Sequence, residues 1–258
     1  MLFCKLLGAR KEKKMKIKQY EIFDDQVLIA RSSLFGDSLS NRKTNPNHSI
    51  LMLNAHYVEF TILPLWLESH KGKGLLTEIM KSSCSSDCRF LVKALKKEKY
   101  KNNKLMCNQT KALNNMIKRV VNFKDNPSLN VSFDTNSIKI QSRLTSFGDI
   151  SRLNKDGLDH IEQIIDSSAY HLAYSAGWRD SKMIRFAGKV QASVGYLDEA
   201  LEAYNLGFMP YGLSKQDNLK FRLLTGEAAY SCPYDTKTIK GCSTCEIRCN
   251  GQRAISFK

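Results

Sequence analysis

From residue 137 onward, strand-like and helix-like segments alternate, and this constrains the fold more than any other feature of the chain. SIKIQSRL (137–144) alternates polar and apolar residues as a half-buried strand does, and it runs into a TSFGD turn. LDHIEQIIDSS (158–168) has helical spacing, and residues 169–175 read as the next strand, leading into GWRD. A short helix over 181–186, a strand KVQASV (189–194), a helix LDEALEAYNLG (197–207) stopped by Gly207, and a strand FMPYGLS (208–214) follow, with a last strand expected at 254–257. Repeated strand–helix units imply parallel strands with right-handed crossovers, which bring all strand carboxyl ends to one edge. Ligands bind at that edge in open sheets and in barrels. The residues expected there are Arg143, Ser146, Asp149, Trp178, Arg179, Asp180, Ser193 and Ser214. The expected fold class is therefore α/β, with parallel βα repeats forming a partial, TIM-like barrel.

The part before residue 136 is less regular. QVLIA (26–30) and SILML (49–53) read as strands, and 57–69 and 75–81 as short helices. Residues 89–122 read as one or two helices with a Lys-rich face, closed by a loop at 125–128. The expected organisation is a basic N-terminal arm over 1–20 and a single α/β domain over 21–258, Lys-rich and helical over 21–135 and built of βα repeats from 136.

The net charge of +15 comes from two segments. Residues 1–19 contribute +6 and residues 89–119 contribute +9, so the rest of the chain is balanced. Such segments attract polyanions by releasing counterions without reading a base sequence. Lys93, Lys96, Lys97, Lys99, Lys101 and Lys104 are the candidate nucleic-acid contacts, with Tyr100 and Phe90 placed to add stacking. The competing reading is a solvated helix face. No run of about 18 apolar residues is present, so no membrane helix is expected, and the amino terminus lacks the order of a secretory signal. The expected location is cytoplasmic.

Seven of the eight cysteines fall into two groups. Cys232, Cys242, Cys245 and Cys249 are spaced C-x9-C-x2-C-x3-C among turn-forming residues, and a composition of this kind argues against a disulfide framework. Four thiolates this close suit zinc or an iron–sulfur cluster, so a Cys-rich metal-binding loop is expected near the C-terminus. Cys84, Cys88 and Cys107 form a second, weaker set that would leave one coordination position open. Its alternative is a pair of small buried apolar side chains. The histidines show no H-E-x-x-H or H-x-E pattern, and there is no G-x-S-x-G elbow, so nothing points to a zinc hydrolase, a deaminase or a serine hydrolase.

Several of these segments together resemble a known group. TSFGD, AYSAGWR, LDEALEAYNLGFMPYGL and the ending CPYDTKTIKGCSTCEIRCNGQRAISFK resemble the uncharacterised phage "gene product 88" proteins over residues 137–258, and SNRKT (40–44) with Cys84 and Cys88 resembles them more loosely. Cys107 is followed by Asn108 and Gln109, where those proteins carry an aromatic and an alanine. The resemblance implies a phage-type protein in a bacterial host, a partial barrel and metal-binding cysteines. The combined layout is broadly that of radical S-adenosylmethionine enzymes, without their C-x3-C-x2-C spacing, so S-adenosylmethionine is a candidate cofactor. Arg143, Asp149, Trp178 and Arg179 are the candidate substrate contacts, acting on a nucleic acid or nucleotide. Their alternatives are structural: Asp149 as a helix cap, Trp178 as a core plug, and the arginines in ion pairs. The alternative function is a non-catalytic, zinc-stabilised nucleic-acid-binding protein.

Overall fold

The computed structural model describes residues 15–32, 55–66, 81–85, 115, 118–130, 132–135, 139–233 and 249–256. Twelve strands are described, in three sheets. A two-stranded antiparallel ribbon pairs β1 (Lys16–Lys18) with β5 (Ser132–Asp134). The first five-stranded sheet runs β2 (Tyr20–Phe23), β3 (Gln26–Ser32), β4 (Ala55–Pro64), β6 (Lys139–Phe147), β7 (Ser168–Leu172). Its β2–β3–β4 part is antiparallel, and β4, β6 and β7 are parallel. The second sheet runs β11 (Tyr230–Ser231), β12 (Ile255–Ser256), β10 (Pro210–Leu213), β9 (Gln191–Ser193), β8 (Tyr174–Ser175), and all its pairs are parallel. β7 and β8 are separated only by Ala173, whose carbonyl accepts from the Gln191 amide at 3.0 Å, so the segment 168–175 joins the two sheets. The chain is thus a mixed α/β protein with parallel strands in its sheets. Among the described residues the strands do not close into a barrel.

The expected parallel units are found with ends shifted by a few residues. α1 (Lys155–Ser167), α2 (Leu197–Asn205) and a short 3-10 helix, Ser181–Phe186, occupy the predicted positions. Four features differ. Residues 55–64 form a central strand and not the helix expected over 57–69, because Tyr57-Val-Glu-Phe-Thr-Ile62 alternates with the two-residue period of a sheet and Pro64 closes it. α3 (Lys215–Thr225), capped by Ser214 and ended by Gly226 in the left-handed conformation, was not expected. Nor was β11. Residues 15–20, within the basic N-terminal stretch, form β1 and begin β2, with Met15 and Ile17 buried. The expected strand at 49–53, most of the helices expected over 75–81 and 89–122, and residues 1–14 lie outside the described residues.

One core serves both sheets. Leu28, Ala30, Val58, Phe60, Ile62, Ile140 and Leu144 cluster with Leu158, Ile161, Ile164 and Ile165 of α1, and with Ala200, Ala203 and Phe221 of α2 and α3. Those strand residues therefore face the helices. By alternation their neighbours Arg31, Tyr57, Glu59, Thr61 and Arg143 face the other way. A smaller cluster on that second face joins Val27, Ile29 and Leu63 to Val120 and Phe123 of the helical segment 118–125.

On the outer side of α1, Arg185 pairs with Asp159 and Glu162, and Lys189 with Glu162 and Asp166. The Lys155 and Arg185 hydrogen bonds hold the Asp159 carboxyl below its usual value of 3.8. For Glu162, partial burial works the other way, and Arg185 and Lys189 outweigh it, so its pKa also lies below the usual 4.5. Depressed carboxylate values mean that the stabilisation is complete above the unfolded pKa and is lost as pH falls through the folded one. The urea midpoint is therefore expected to drop as pH is lowered from about 5 to about 3, and to drop less in Arg185→Gln.

Candidate functional site

The carboxyl end of β6 turns at Gly148, whose φ of +84° and close approach to the Ile62 carbonyl leave no room for a Cβ. Asp149 follows and is buried. Its Oδ1 accepts from the Ser151 amide at 3.0 Å and from Ser175 Oγ at 2.5 Å, and its Oδ2 accepts from the Ala176 amide at 2.7 Å. The Asp149 amide itself donates to the Ser83 carbonyl at 2.8 Å. The Asp149 side chain thus ties the end of β6 to the end of β8 while capping the 3-10 turn Ile150–Arg152, and its backbone amide holds the segment 81–85. Arg152 completes the joint, donating from Nε to the Cys84 carbonyl at 2.8 Å and from Nη2 to the Lys81 carbonyl at 3.0 Å. Cys84, buried at 5% exposure, is thereby set at the carboxyl edge of the parallel strands.

Trp178 is wholly buried, tilted against Phe208 with ring centroids 6.4 Å apart, and its Nε1 has no hydrogen-bond partner among the described residues. The Arg179 guanidinium lies 4.2 Å above the Trp178 ring and is bound to α2, with 2.7 Å to Glu202 and 3.4 Å to Glu199. The Glu202 hydrogen bonds raise the Arg179 pKa further above its ordinary range. Asp180 caps the next 3-10 helix and pairs with Lys182 at 3.5 Å. Asp149, Trp178 and Arg179 are thus gathered at one edge, each engaged by protein groups.

Arg143 lies elsewhere, in the body of β6 on the face turned away from the helices. In register with it are Glu59 on β4 and, beyond Glu59, Arg31 on β3. Arg143 Nη1 is 3.9 Å from Glu59 Oε1, with side-chain exposures of 12% and 7%. Burial opposes the guanidinium charge, but Tyr174, Tyr57 and Glu59 outweigh it and hold the pKa above its ordinary range, with Arg143 donating to the Tyr174 side chain. Tyr174 stacks on Tyr211 at 4.6 Å and 11°. Gln191, paired in register with Tyr174, is wholly buried and donates from Nε2 to the Arg253 carbonyl at 2.6 Å. Glu59, Tyr57, Tyr174, Gln191 and Tyr211 were not singled out in the sequence. The alternation in 57–62 was the signal that could have found the first two.

Of the C-terminal cysteines, Cys232 directly follows β11, its amide donating to the Ser256 carbonyl at 2.9 Å. Cys249 precedes the return to β12. That return is anchored where Gly251, at φ +88°, packs against the Lys189–Val190 backbone with no space for a Cβ. Because β11 and β12 are adjacent and parallel, the chain returns between Pro233 and Cys249 from the carboxyl end of β11 to the amino end of β12. Cys88, Cys107, Cys242 and Cys245 lie outside the described residues, as do Lys93, Lys96, Lys97, Lys99, Lys101 and Lys104. Among the described residues no three His, Cys, Asp or Glu side chains are gathered as for a metal, and no helix is long and apolar enough to cross a membrane. Comparison of the chain with family models, with curated proteins and with solved structures returned no match.

Proposed function

We propose that this protein is a phage-type, metal-bearing α/β protein that works at the carboxyl edge of its parallel strands, as an iron–sulfur enzyme distantly like radical S-adenosylmethionine proteins, acting on a nucleotide or nucleic acid. The observation that carries this reading is the docking of Ser83 and Cys84 on the Asp149 turn. It sets the first thiol of the middle cysteine group at the edge where α/β folds hold their ligands. In this reading Cys84, Cys88 and Cys107 would hold a cluster with one open iron. Bound there, such a cluster with S-adenosylmethionine supplies radical chemistry. The two sheets, joined along 168–175, are the sides of a partial barrel. Its interior is the face carrying Glu59, Arg143, Tyr174 and Gln191. Buried parallel sheets covered on both faces read as continuous apolar runs, whereas these strands alternate, as strands lining a filled or liganded interior do.

A second reading has its own support. Cys232 and Cys249 stand near the two ends of one crossover, so a zinc ion closing that loop would fold it and fix β12 between β10 and β11. The protein would then be a non-catalytic nucleic-acid binder gripping phosphates through its basic segments. Anaerobic purification followed by an absorption spectrum separates the two readings. A brown protein with visible charge-transfer absorption supports the enzyme, and a colourless protein with zinc supports the binder.

A further inference from the structure

The outer surface of α2 and α3 is apolar where a solvated face would be polar. Five of the eight large apolar side chains exposed among the described residues, Tyr196, Leu206, Leu219, Leu223 and Leu224, lie on these helices or at their caps. Leu219, Leu223 and Leu224 are 63%, 77% and 65% exposed, and the first two stand on the side of α3 opposite buried Phe221. Apolar side chains exposed singly are ordinary, whereas three so close on one short helix form a patch of the kind that marks an interaction surface.

Charge on this surface is divided between the helices. α2 carries Asp198, Glu199 and Glu202 and no basic residue. α3 carries exposed Lys215, Lys220 and Arg222 against one acid, Asp217, which accepts from the Ser214 hydroxyl at 2.8 Å. Glu202 keeps 48% of its side chain exposed while it holds Arg179. β9, β10, β11 and β12 are all parallel, so α2, after β9, and α3, after β10, run in the same direction. Their relative height is fixed where Tyr204 meets Phe221 edge-on at 5.6 Å. Counted along both helices from that contact, Asp198 stands level with Lys215, Glu202 with Leu219, and Leu206 with Leu223.

These levels define how a second copy fits. A two-fold axis lying in the interface, parallel to the helices and midway between them, keeps every level and exchanges the helices. α3 of one copy then lies on α2 of the other. Lys215 comes over Asp198, Lys220 over Glu202, and Leu223 and Leu224 over Leu206, each contact made twice. An axis across the helices would set α3 on α3 and bring Lys220 and Arg222 against their own copies, like charge on like.

We propose that the protein forms a homodimer through the outer faces of α2 and α3, with α3 of each copy on α2 of its partner. The proposal goes beyond both readings above and needs no metal in either cysteine group. Two helix faces together about 20 Å wide and about 15 Å long lie at the small end of specific interfaces, so the dimer dissociates in the micromolar range.

The test is sedimentation velocity of the full-length protein from about 1 to about 200 µM, where wild type is expected to pass from monomer to dimer. Leu223→Glu should raise the dissociation constant at least about tenfold, because it sets a carboxylate against Leu206 in both halves of the interface. Lys215→Glu and Asp198→Lys should each raise it about fivefold, and the Asp198→Lys/Lys215→Glu double variant should return it to within about twofold of wild type. All three positions are exposed, so the urea midpoint of the monomer is expected to stay in place, which separates a lost contact from a lost fold. A wild type that stays monomeric, leaving the face to a different protein, would overturn the proposal. So would a dimer untouched by Leu223→Glu, or a double variant no tighter than the single ones.

Discussion

Asp149→Ala is expected to lower the free energy of unfolding by about 3–5 kcal/mol. The alanine leaves the Ser151 amide, the Ala176 amide and the Ser175 hydroxyl without their acceptor in a buried turn. A buried donor stripped of its partner costs about 1–3 kcal/mol, and these three lose theirs together. The damage also spreads, because the same side chain fixes the ends of β6 and β8 relative to each other, next to the backbone bond from Asp149 to Ser83 that holds the segment bearing Cys84. Asp149→Asn keeps one carbonyl oxygen and should cost less than the alanine. Urea unfolding of the two variants checks both statements, and a loss below about 1 kcal/mol for Asp149→Ala would contradict the role assigned to this turn.

Trp178→Ala is expected to cost a similar amount, about 3–5 kcal/mol, for a different reason. Trp178 heads the fully buried large side chains and packs between Phe208 and the Arg179 guanidinium, so truncation opens a cavity at the junction of strand ends and α2. Trp178→Phe should cost less than about 1.5 kcal/mol, since it keeps most of the ring and removes an indole N–H that has no acceptor among the described residues. Equal losses in the two variants would show that the indole N–H, and not the ring volume, is what the site needs. Because typical domains are stable by only about 5–15 kcal/mol, either alanine variant approaches the limit of folding.

What the sequence could and could not disclose follows from which interactions are local. The units from residue 139 on were legible because each carries its own signals: alternation in 139–147, the helical spacing of Leu158, Ile161 and Ile165, and Gly207 after α2. Residues 57–69 misled because the alternation of β4 runs on into apolar Leu65 and Trp66, which join the second core cluster and blur the period. α3 was hidden because only Phe221 of it is buried while Leu219, Leu223 and Leu224 are exposed, so it has no clean apolar stripe. β11 is two residues long and shows no period. At the carboxyl edge, Asp149 was legible as a cap from its Gly-Asp turn, but its hold on Ser175 and Ala176 is set by tertiary contact. The same holds for the partners of Arg143. Glu59 is 84 residues away in the chain, and only the register of β4 on β6 brings the two together. Arg179 forms the ion pair given as its structural alternative, with Glu199 and Glu202, because α2 packs over the strand end that carries it.

The claim on which the functional account turns is that the Cys-rich crossover between β11 and β12 closes around a metal ion. The direct measurement is the metal content per chain of wild type and of the Cys242→Ser/Cys245→Ser double variant, both purified without oxygen and without added metal. The account predicts tightly held zinc or iron in wild type and the loss of that metal, with a lower urea midpoint, in the double variant. A wild-type chain free of metal, or a double variant that keeps the full content, would contradict it.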